Sequence, residues 1–265
     1  MLSMSHLSSL TFKGLRWLSV VILLPLVLIS CSETEKETYK ERSVEDLYHE
    51  AYGYLYKENY LKAAKTFEEV ERQHPYSSWS PKSEMLAAYS YYLAQKYEDA
   101  SSLLETFIQV HPSYKDVSYT YYLLGLCYYE QISTTERDQQ MTELAFQTFD
   151  ELIKRFPDSP YGKDAKLKID LILDHLAGRE MDIGRFYLSF HEPIAALNRF
   201  KRVVDKFQTT THVPEALYRM IETYLILGMK EEARHVGAVL GHNYPQSIWY
   251  KDSYDLILPN SISEE

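Results

Sequence analysis

Two thiols, nine histidines and 38 carboxylates are the side chains of this 265-residue sequence with obvious nucleophilic, metal-binding or acid–base potential. Their spacing decides against most of that chemistry. A metallohydrolase of the His-Glu-x-x-His type needs two imidazoles a helical turn apart, and a serine hydrolase needs its nucleophile on a tight turn between glycines. Neither occurs, and there is no phosphate-cradling glycine loop and no Cys-x-x-Cys pair. His74 and His111 each precede a proline, which marks them as residues near helix C-termini, where the helix dipole favours them. Asp174-His175 and His191-Glu192 are adjacent pairs, and neighbours on a helix point away from each other. The carboxylates read as solvated helix faces. The expectation is a protein without a catalytic residue, resident cofactor or metal.

Cys31 is different. Residues 1–16 are rich in serine and carry Lys13 and Arg16, and Trp17 to Ile29 form an apolar run interrupted at Ser19. A basic stretch followed by a short apolar one is a secretory leader, and about 13 residues fall well short of the ~20 that span a membrane. The run closes Leu28-Ile29-Ser30-Cys31, with leucine at −3 and a small residue at −1, which resembles the bacterial lipobox. There the thiol takes a diacylglyceryl group before cleavage, so Cys31 is the expected lipidation site and the lipid is the only non-protein group implied. An ordinary leader with an incidental cysteine is the alternative. Acyl chains at roughly 0.8 kcal/mol per buried methylene anchor stably. Residues 31–42 then form a polar tether, with Ser32 after the cysteine resembling an outer-membrane sorting signal. Cys127 remains alone among apolar residues, a small buried hydrophobe with no disulfide partner.

Removing the two leader cations takes the formal charge from −10 to −12. That sign is wrong for phosphate backbones, so no nucleic acid is expected as a partner.

The elements behind these residues emerge from repetition. A small residue, a tyrosine three later, an alanine nine after that, a large apolar residue four further and a closing proline recur along the chain. The units are Ala51, Tyr54, Ala63, Phe67, Pro75; then Ala88, Tyr91, Ala100, Leu104, Pro112; then Gly125, Tyr128, Ala145, Phe149, Pro157. Two more follow: Gly184, Tyr187, Ala196, Phe200, with Gln208 where proline is expected; and Ile221, Tyr224, Ala233, Gly237, Pro245. Five tyrosines in one register account for part of the unusual total of 24.

These offsets match the tetratricopeptide (TPR) unit of helix–turn–helix. The small residue lets the second helix approach, the aromatic fills the gap to the next pair, and proline stops the second helix. The fold expected is therefore all-α, a solenoid of five TPR-like repeats whose stability comes from stacking. Ser43 with Asp46, Ser80-Pro81 and Ser159-Pro160 provide helix starts. A polar insertion, 131–141, interrupts the third unit and reads as a surface loop. Ala165, Ile169, Ile172, Leu173 and Leu176 predict one long helix from Pro160 to Ser189, about 45 Å at 1.5 Å per residue, with Gly178 as a candidate kink. The organisation is then leader 1–30, tether 31–42, repeats 1–3 over 43–157, linking helix and repeats 4–5 over 158–258, and a disordered tail 259–265.

First helices line the concave face of such a solenoid. Tyr48, Tyr52 and Tyr56 lie at i, i+4, i+8 on the first helix, and Tyr89, Tyr92, Tyr122 and Tyr129 have comparable offsets on the next two. Either they line a groove for an extended, aromatic-bearing peptide, rigid rings giving area at low entropic cost, or they pack between helices.

Several stretches then resemble one family, BamD, the lipoprotein subunit of the outer-membrane β-barrel assembly (BAM) machine. They are the lipobox, the five units, Arg137-Asp138-Gln139 in the insertion, Phe156 to Tyr161 followed by Asp164-Ala165, Asn198-Arg199, and the run Gly241 to Tyr250. Gln208 departs from the pattern and bears on the end of one helix. The resemblance implies a lipid-anchored scaffold on the periplasmic face of the outer membrane. Its implied partners are a POTRA domain of BamA, other BAM lipoproteins and the C-terminal signal of unfolded outer-membrane proteins. By position, Arg199 is the implied BamA contact, with Tyr218 and Glu222 on the next unit as further candidates; Arg199 could instead be a solvated helix residue. A TPR lipoprotein scaffold for peptidoglycan or cell-division factors is the other function to weigh, because fold does not fix function. A cell-wall hydrolase would need a catalytic acid in a cleft, which no appended domain supplies.

Overall fold

The structure, a computed structural model, describes residues 41–135 and 137–262. The leader and Cys31 lie outside them. Among the described residues there are eleven α-helices and no strand. Unit 1 is α1 (Val44–Tyr56) and α2 (Tyr60–Gln73), unit 2 is α3 (Ser80–Leu93) and α4 (Tyr97–Val110), and unit 3 is α5 (Val117–Tyr129) and α6 (Gln140–Arg155). The long helix α7 (Pro160–Ser189) pairs with α8 (Pro193–Lys206) as unit 4, and α9 (Val213–Ile226) with α10 (Lys230–Asn243) as unit 5. A last helix, α11 (Ile248–Ile262), packs on α9 and α10. The chain is an all-α tetratricopeptide solenoid. First helices touch along the stack, α3 with α5 and α5 with α7, so they form its inner face.

The repeat register explains the packing. Phe67, Leu104, Phe149 and Phe200 are wholly buried, and Phe149 and Phe200 each stand opposite the glycine of their own first helix. A Cβ on Gly125 would stand 2.4 Å from the Phe149 ring, and one on Gly184 would stand 2.4 Å from the Phe200 ring. Unit 5 inverts the volumes. Ile221 occupies the small position, Gly237 the large one, and the space over Gly237 is taken by Ile257 of α11. The register tyrosines add a polar tie. Tyr91 donates to Glu68 (2.7 Å) and Tyr128 donates to Glu105, each carboxylate lying 23 residues earlier on the preceding unit's second helix. Tyr54, in the first of the described units, donates to Glu50 of its own helix (2.8 Å). At the fifth unit the equivalent residue is Lys201, whose ammonium sits 5.5 Å from the Tyr224 ring centroid.

Turns repeat as faithfully. The link between the two helices of a unit carries one left-handed residue, Glu58, Gln95, His191 or Gly228, at φ between 58° and 74°. Second helices end on His74, His111, Phe156, Phe207 and Tyr244 in one common non-helical conformation, φ between −134° and −121° and ψ between 43° and 59°. Phe207 belongs to the set although Gln208 replaces proline, so the backbone conformation stops that helix unaided. Ser43 and Ser159 cap their helices through Asp46 N (3.1 Å) and Gly162 N (3.0 Å). Ser80 does not. It is already helical, and its hydroxyl donates to Glu84 instead (3.1 Å).

Three further expectations change. The long helix has the predicted bounds but is unbroken at Gly178. A Cβ at Gly178 would lie 3.2 Å from His212 Nε2, so this glycine serves close approach and not bending. The insertion after α5 is more than a surface loop. Gln139, 2% exposed, ties it together through Thr134 O, Arg137 O and Thr142, and Thr135 donates to Asp182 of α7 (2.8 Å). Finally, α11 continues to Ile262, so 259–262 are helical where a disordered tail was expected. Trp249, Tyr250 and Ile257 dock this helix on the core, and helix formation propagates outward from a docked segment.

Buried side chains fall into three clusters. Ala165 and Ile172 of α7 belong to the one built by units 2 and 3, while Ala177 and Met181 belong to the one built by units 4 and 5. The long helix is a beam shared by both cores.

Candidate partner-binding surfaces

The predicted tyrosine groove separates into two sets. Tyr48 is buried: Trp79 covers it with ring centroids 4.7 Å apart, and Phe67 lies behind at 5.6 Å. It belongs to the unit 1 core and not to a groove. Tyr122 donates to Asp164 of α7 (2.6 Å) and stacks on Tyr161 at 5.4 Å. Tyr129 meets Phe149 edge-on and lies under the Lys168 ammonium (5.0 Å). These two pack between helices while keeping one edge outward. Tyr52 and Tyr56 are open, at 52% and 84% exposure. Tyr89 and Tyr92 are half-buried against α5, with Tyr92 also packing on Tyr97 at 5.7 Å.

Two rings escaped the sequence argument. Tyr119 packs on Tyr161 (5.2 Å), and with Tyr89, Tyr92 and Tyr122 they make one aromatic bed on the inner face of units 2 and 3 and the start of α7. The spacing of Tyr119 and Tyr122, three apart on α5, was the available signal. Burial pushes the Tyr92 hydroxyl up to about 12, with Glu130 adding to the shift. Burial raises Tyr119 and Tyr122 further, the latter also through its bond to Asp164. All three stay protonated at physiological pH. The bed therefore offers ring faces and, at Tyr92 and Tyr119, neutral hydroxyls, suited to aromatic side chains and backbone carbonyls of an extended peptide, while the Tyr122 hydroxyl is committed to Asp164.

The second surface lies on unit 4. Arg199 is not simply a solvated residue. Its Nη1 lies 3.1 Å from Glu180 Oε2, and Arg202 Nη1 lies 3.1 Å from Glu180 Oε1. Glu180 is a buried carboxylate on α7. Tyr187, Asn198, Arg199, Lys201, Arg202 and Lys206 line an open cleft of about 570 Å³ in which Asp205 is the only acidic wall residue. Tyr218 and Glu222 are elsewhere, on α9. Tyr218 stacks on Trp249 of α11 (5.3 Å), Arg219 lies over both rings, and Glu222 pairs with Arg219 (2.9 Å). These two are tied to the closing helix and do not share the cleft. Arg202 and Glu180 were missed, although Arg199 and Arg202 stand one turn apart in the sequence. No metal-binding group of histidines, cysteines and carboxylates occurs among the described residues, and none of their helices is long and apolar enough to cross a membrane.

Comparison with known proteins decides the family. The sequence profile of the family described as "YfiO: Outer membrane lipoprotein" matches residues 40–240. The chain belongs to this family. A relative of Rickettsia prowazekii, "Outer membrane protein assembly factor BamD", is 44% identical over 92% of this chain and 98% of its own length. Another of that name from Caulobacter vibrioides is 44% identical over 84% of this chain and 73% of its own. Among solved structures, a thermophilic TPR protein of Thermus thermophilus overlaps 82% of this chain and 99% of its own at TM-score 0.38 and 18% identity. That overlap is loose, and the fold assignment rests on the helix register. Both relatives are named as outer-membrane protein assembly factors, and the chain groups with them and not with an enzyme family.

Proposed function

We propose that this chain is an outer-membrane lipoprotein, held through lipid on Cys31 at the periplasmic face, that serves as a scaffold in assembling β-barrel proteins. The observation that carries the reading is the 44% identity spanning 92% of this chain and 98% of a relative named as an assembly factor. Two surfaces divide the work. The aromatic bed of units 2 and 3, with Tyr52 and Tyr56 beyond it, receives the aromatic-ended C-terminal segment of an unfolded barrel protein. The cationic cleft of unit 4, with Arg199 on its wall, and the Tyr218–Glu222 face of unit 5 dock a POTRA domain of BamA. Further BAM lipoproteins complete the assembly.

An affinity pull-down of the tagged, lipidated protein from gently solubilised membranes tests this. Recovery of a POTRA-bearing outer-membrane barrel is the expected result. Recovery of cell-wall or division factors without that barrel overturns the assembly role. Replacing Tyr52 and Tyr89 with Ala tests the bed separately: a folded protein whose affinity for a barrel C-terminal peptide is unchanged removes it.

A further inference from the structure

One imidazole is left over from the chemistry described so far. His175 of α7 has its Nε2 buried, with no hydrogen-bond partner among the described residues. A buried polar atom without a partner is costly, so a site that keeps one is suited to taking that partner from a ligand. The same ring lines an open cleft of about 510 Å³, and Tyr129, Ile132, Leu171 and Ile172 give the cleft apolar walls. Leu171 is well exposed, as is Leu167 one turn before it.

The position of the cleft says what could fill it. α5 and α7 run side by side in one direction, and their contacts advance together. Tyr119 meets Tyr161, Tyr122 meets Asp164, Tyr129 meets Lys168, and Ile132 shares the cleft with Leu171 and His175. A groove therefore leads from the aromatic bed down to the cleft. Beyond it the insertion crosses to α7, where Thr135 donates to Asp182 (2.8 Å). A chain laid along the groove from the bed meets that crossing and ends there. The charges suit an acidic end. Lys168 stands on the way, and the carboxylate it meets, Asp164 (3.7 Å), also accepts from Tyr122. Asp174, next to His175 in the chain, accepts from Thr211 N (3.1 Å) and Thr211 Oγ1 (2.8 Å). Glu130 of the cleft wall faces the Tyr92 hydroxyl, whose proton its charge helps to retain.

We propose that this cleft seats the last residue of an aromatic-ended peptide, its ring against Tyr129, Ile132 and Leu171 and its terminal carboxylate accepting from His175 Nε2–H. This rests on the reading that the bed receives the C-terminal segment of an unfolded barrel protein, and it names what marks that segment as terminal. A hydrogen bond to a free carboxylate is charge-assisted and strong. An internal stretch of the same composition lacks the carboxylate and would have to continue through the Thr135–Asp182 crossing.

The test uses the full lipidated chain in detergent and a fluorescein-labelled synthetic peptide that copies the last strand of a barrel protein of the same organism and ends in phenylalanine. Fluorescence anisotropy compares the free acid, the C-terminal amide, and a version continued past the phenylalanine by Gly-Ser-Gly. The amide and the continued peptide are each expected to bind about tenfold more weakly than the acid. His175→Leu should bind all three alike, at the weaker level. His175→Gln, which keeps an N–H donor on the side chain, should restore part of the preference for the acid. Leu171→Asp sets a like charge beside the ligand from an exposed position and should weaken the acid more than the amide. Circular dichroism checks that each variant is folded, and should His175→Leu not be, Leu171→Asp decides alone. Equal binding of acid and amide to the wild-type chain overturns the proposal and leaves the bed standing. A preference for the acid that survives undiminished in His175→Leu or in Leu171→Asp puts the carboxylate elsewhere and overturns it as well. If no peptide binds the wild-type chain, the reading of the bed itself falls.

Discussion

Gly184→Ala asks how tightly the two helices of unit 4, α7 and α8, are closed. The new Cβ would lie 2.4, 2.7 and 2.9 Å from Cε1, Cζ and Cδ1 of Phe200, where ordinary contact begins near 3.4 Å. The ring would have to retreat by about 1 Å, and Phe200 is wholly buried, so other core side chains must move with it. Overpacking of this kind costs about 1–3 kcal/mol. Against it stands the gain of about 0.5–1 kcal/mol from replacing a glycine inside a helix. The middle of the two ranges leaves a net loss of about 1 kcal/mol, a fall in melting temperature of about 2–4 °C for a domain of this size. Circular dichroism at 222 nm during heating and urea titration reads it, and hydrogen exchange should place the loss in the second half of α7 and in α8. Unit 2 carries the smaller large residue already, with buried Ala88 and Leu104 at the two register positions. The pair Gly184→Ala with Phe200→Leu should therefore be more stable than the sum of the two single changes by about 1 kcal/mol or more. A Gly184→Ala protein as stable as its parent, or strict additivity in the pair, would refute the steric reasoning.

Other outcomes follow from the same coordinates. Gly53 lies within α1 with nothing within 4 Å of a prospective Cβ, so Gly53→Ala should raise stability by about 0.5–1 kcal/mol in the same melts. Gly228 sits at φ 74°, and Gly228→Ala should cost about 1 kcal/mol, while Gln95→Gly at φ 58° should be neutral or stabilising; the reverse order of the two would contradict the turn register. Burial holds the Cys127 thiol at about 12, against an ordinary 9, so it stays protonated. Iodoacetamide should leave Cys127 of the folded protein unlabelled at pH 8 and modify it in urea, read by peptide mass mapping, and rapid labelling of Cys127 in the native state would disprove the burial. Because the unfolded thiol ionises first, this residue should also withdraw stability as pH rises from 9 to 12, visible as a falling urea midpoint.

The helix pairs were legible because the five-position register repeats both chemistry and spacing, and Ala63, Ala100, Ala145, Ala196 and Ala233 are all wholly buried as it requires. The long helix was legible for the same reason, since Ala165 and Ile172 keep helical spacing beyond the third unit. What escaped was tertiary in origin. Tyr48 and Tyr52 are equivalent in the sequence, four apart on one helix, yet Trp79 from a later turn buries one and leaves the other open. Gly178 looked like a kink because its neighbour, His212, is 34 positions away. Glu180 was invisible as one acid among 38 until α8 brought two arginines to it.

The inverted volumes of unit 5 bear on how such a chain can be rearranged. Repeat arrays are often lengthened or shuffled by copying whole units, which works when every unit presents the same surfaces to its neighbours. Here recombination within a unit is restricted. Splicing α9 against a second helix of the unit 4 kind would set Ile221 against a phenylalanine in the place that Gly237 leaves open. Splicing α5 or the end of α7 against α10 would set glycine against glycine and leave a void. The space over Gly237 is already claimed by Ile257, so unit 5 and α11 travel as one inseparable cassette. New length can be added to this solenoid upstream of that cassette without parting Ile257 from Gly237.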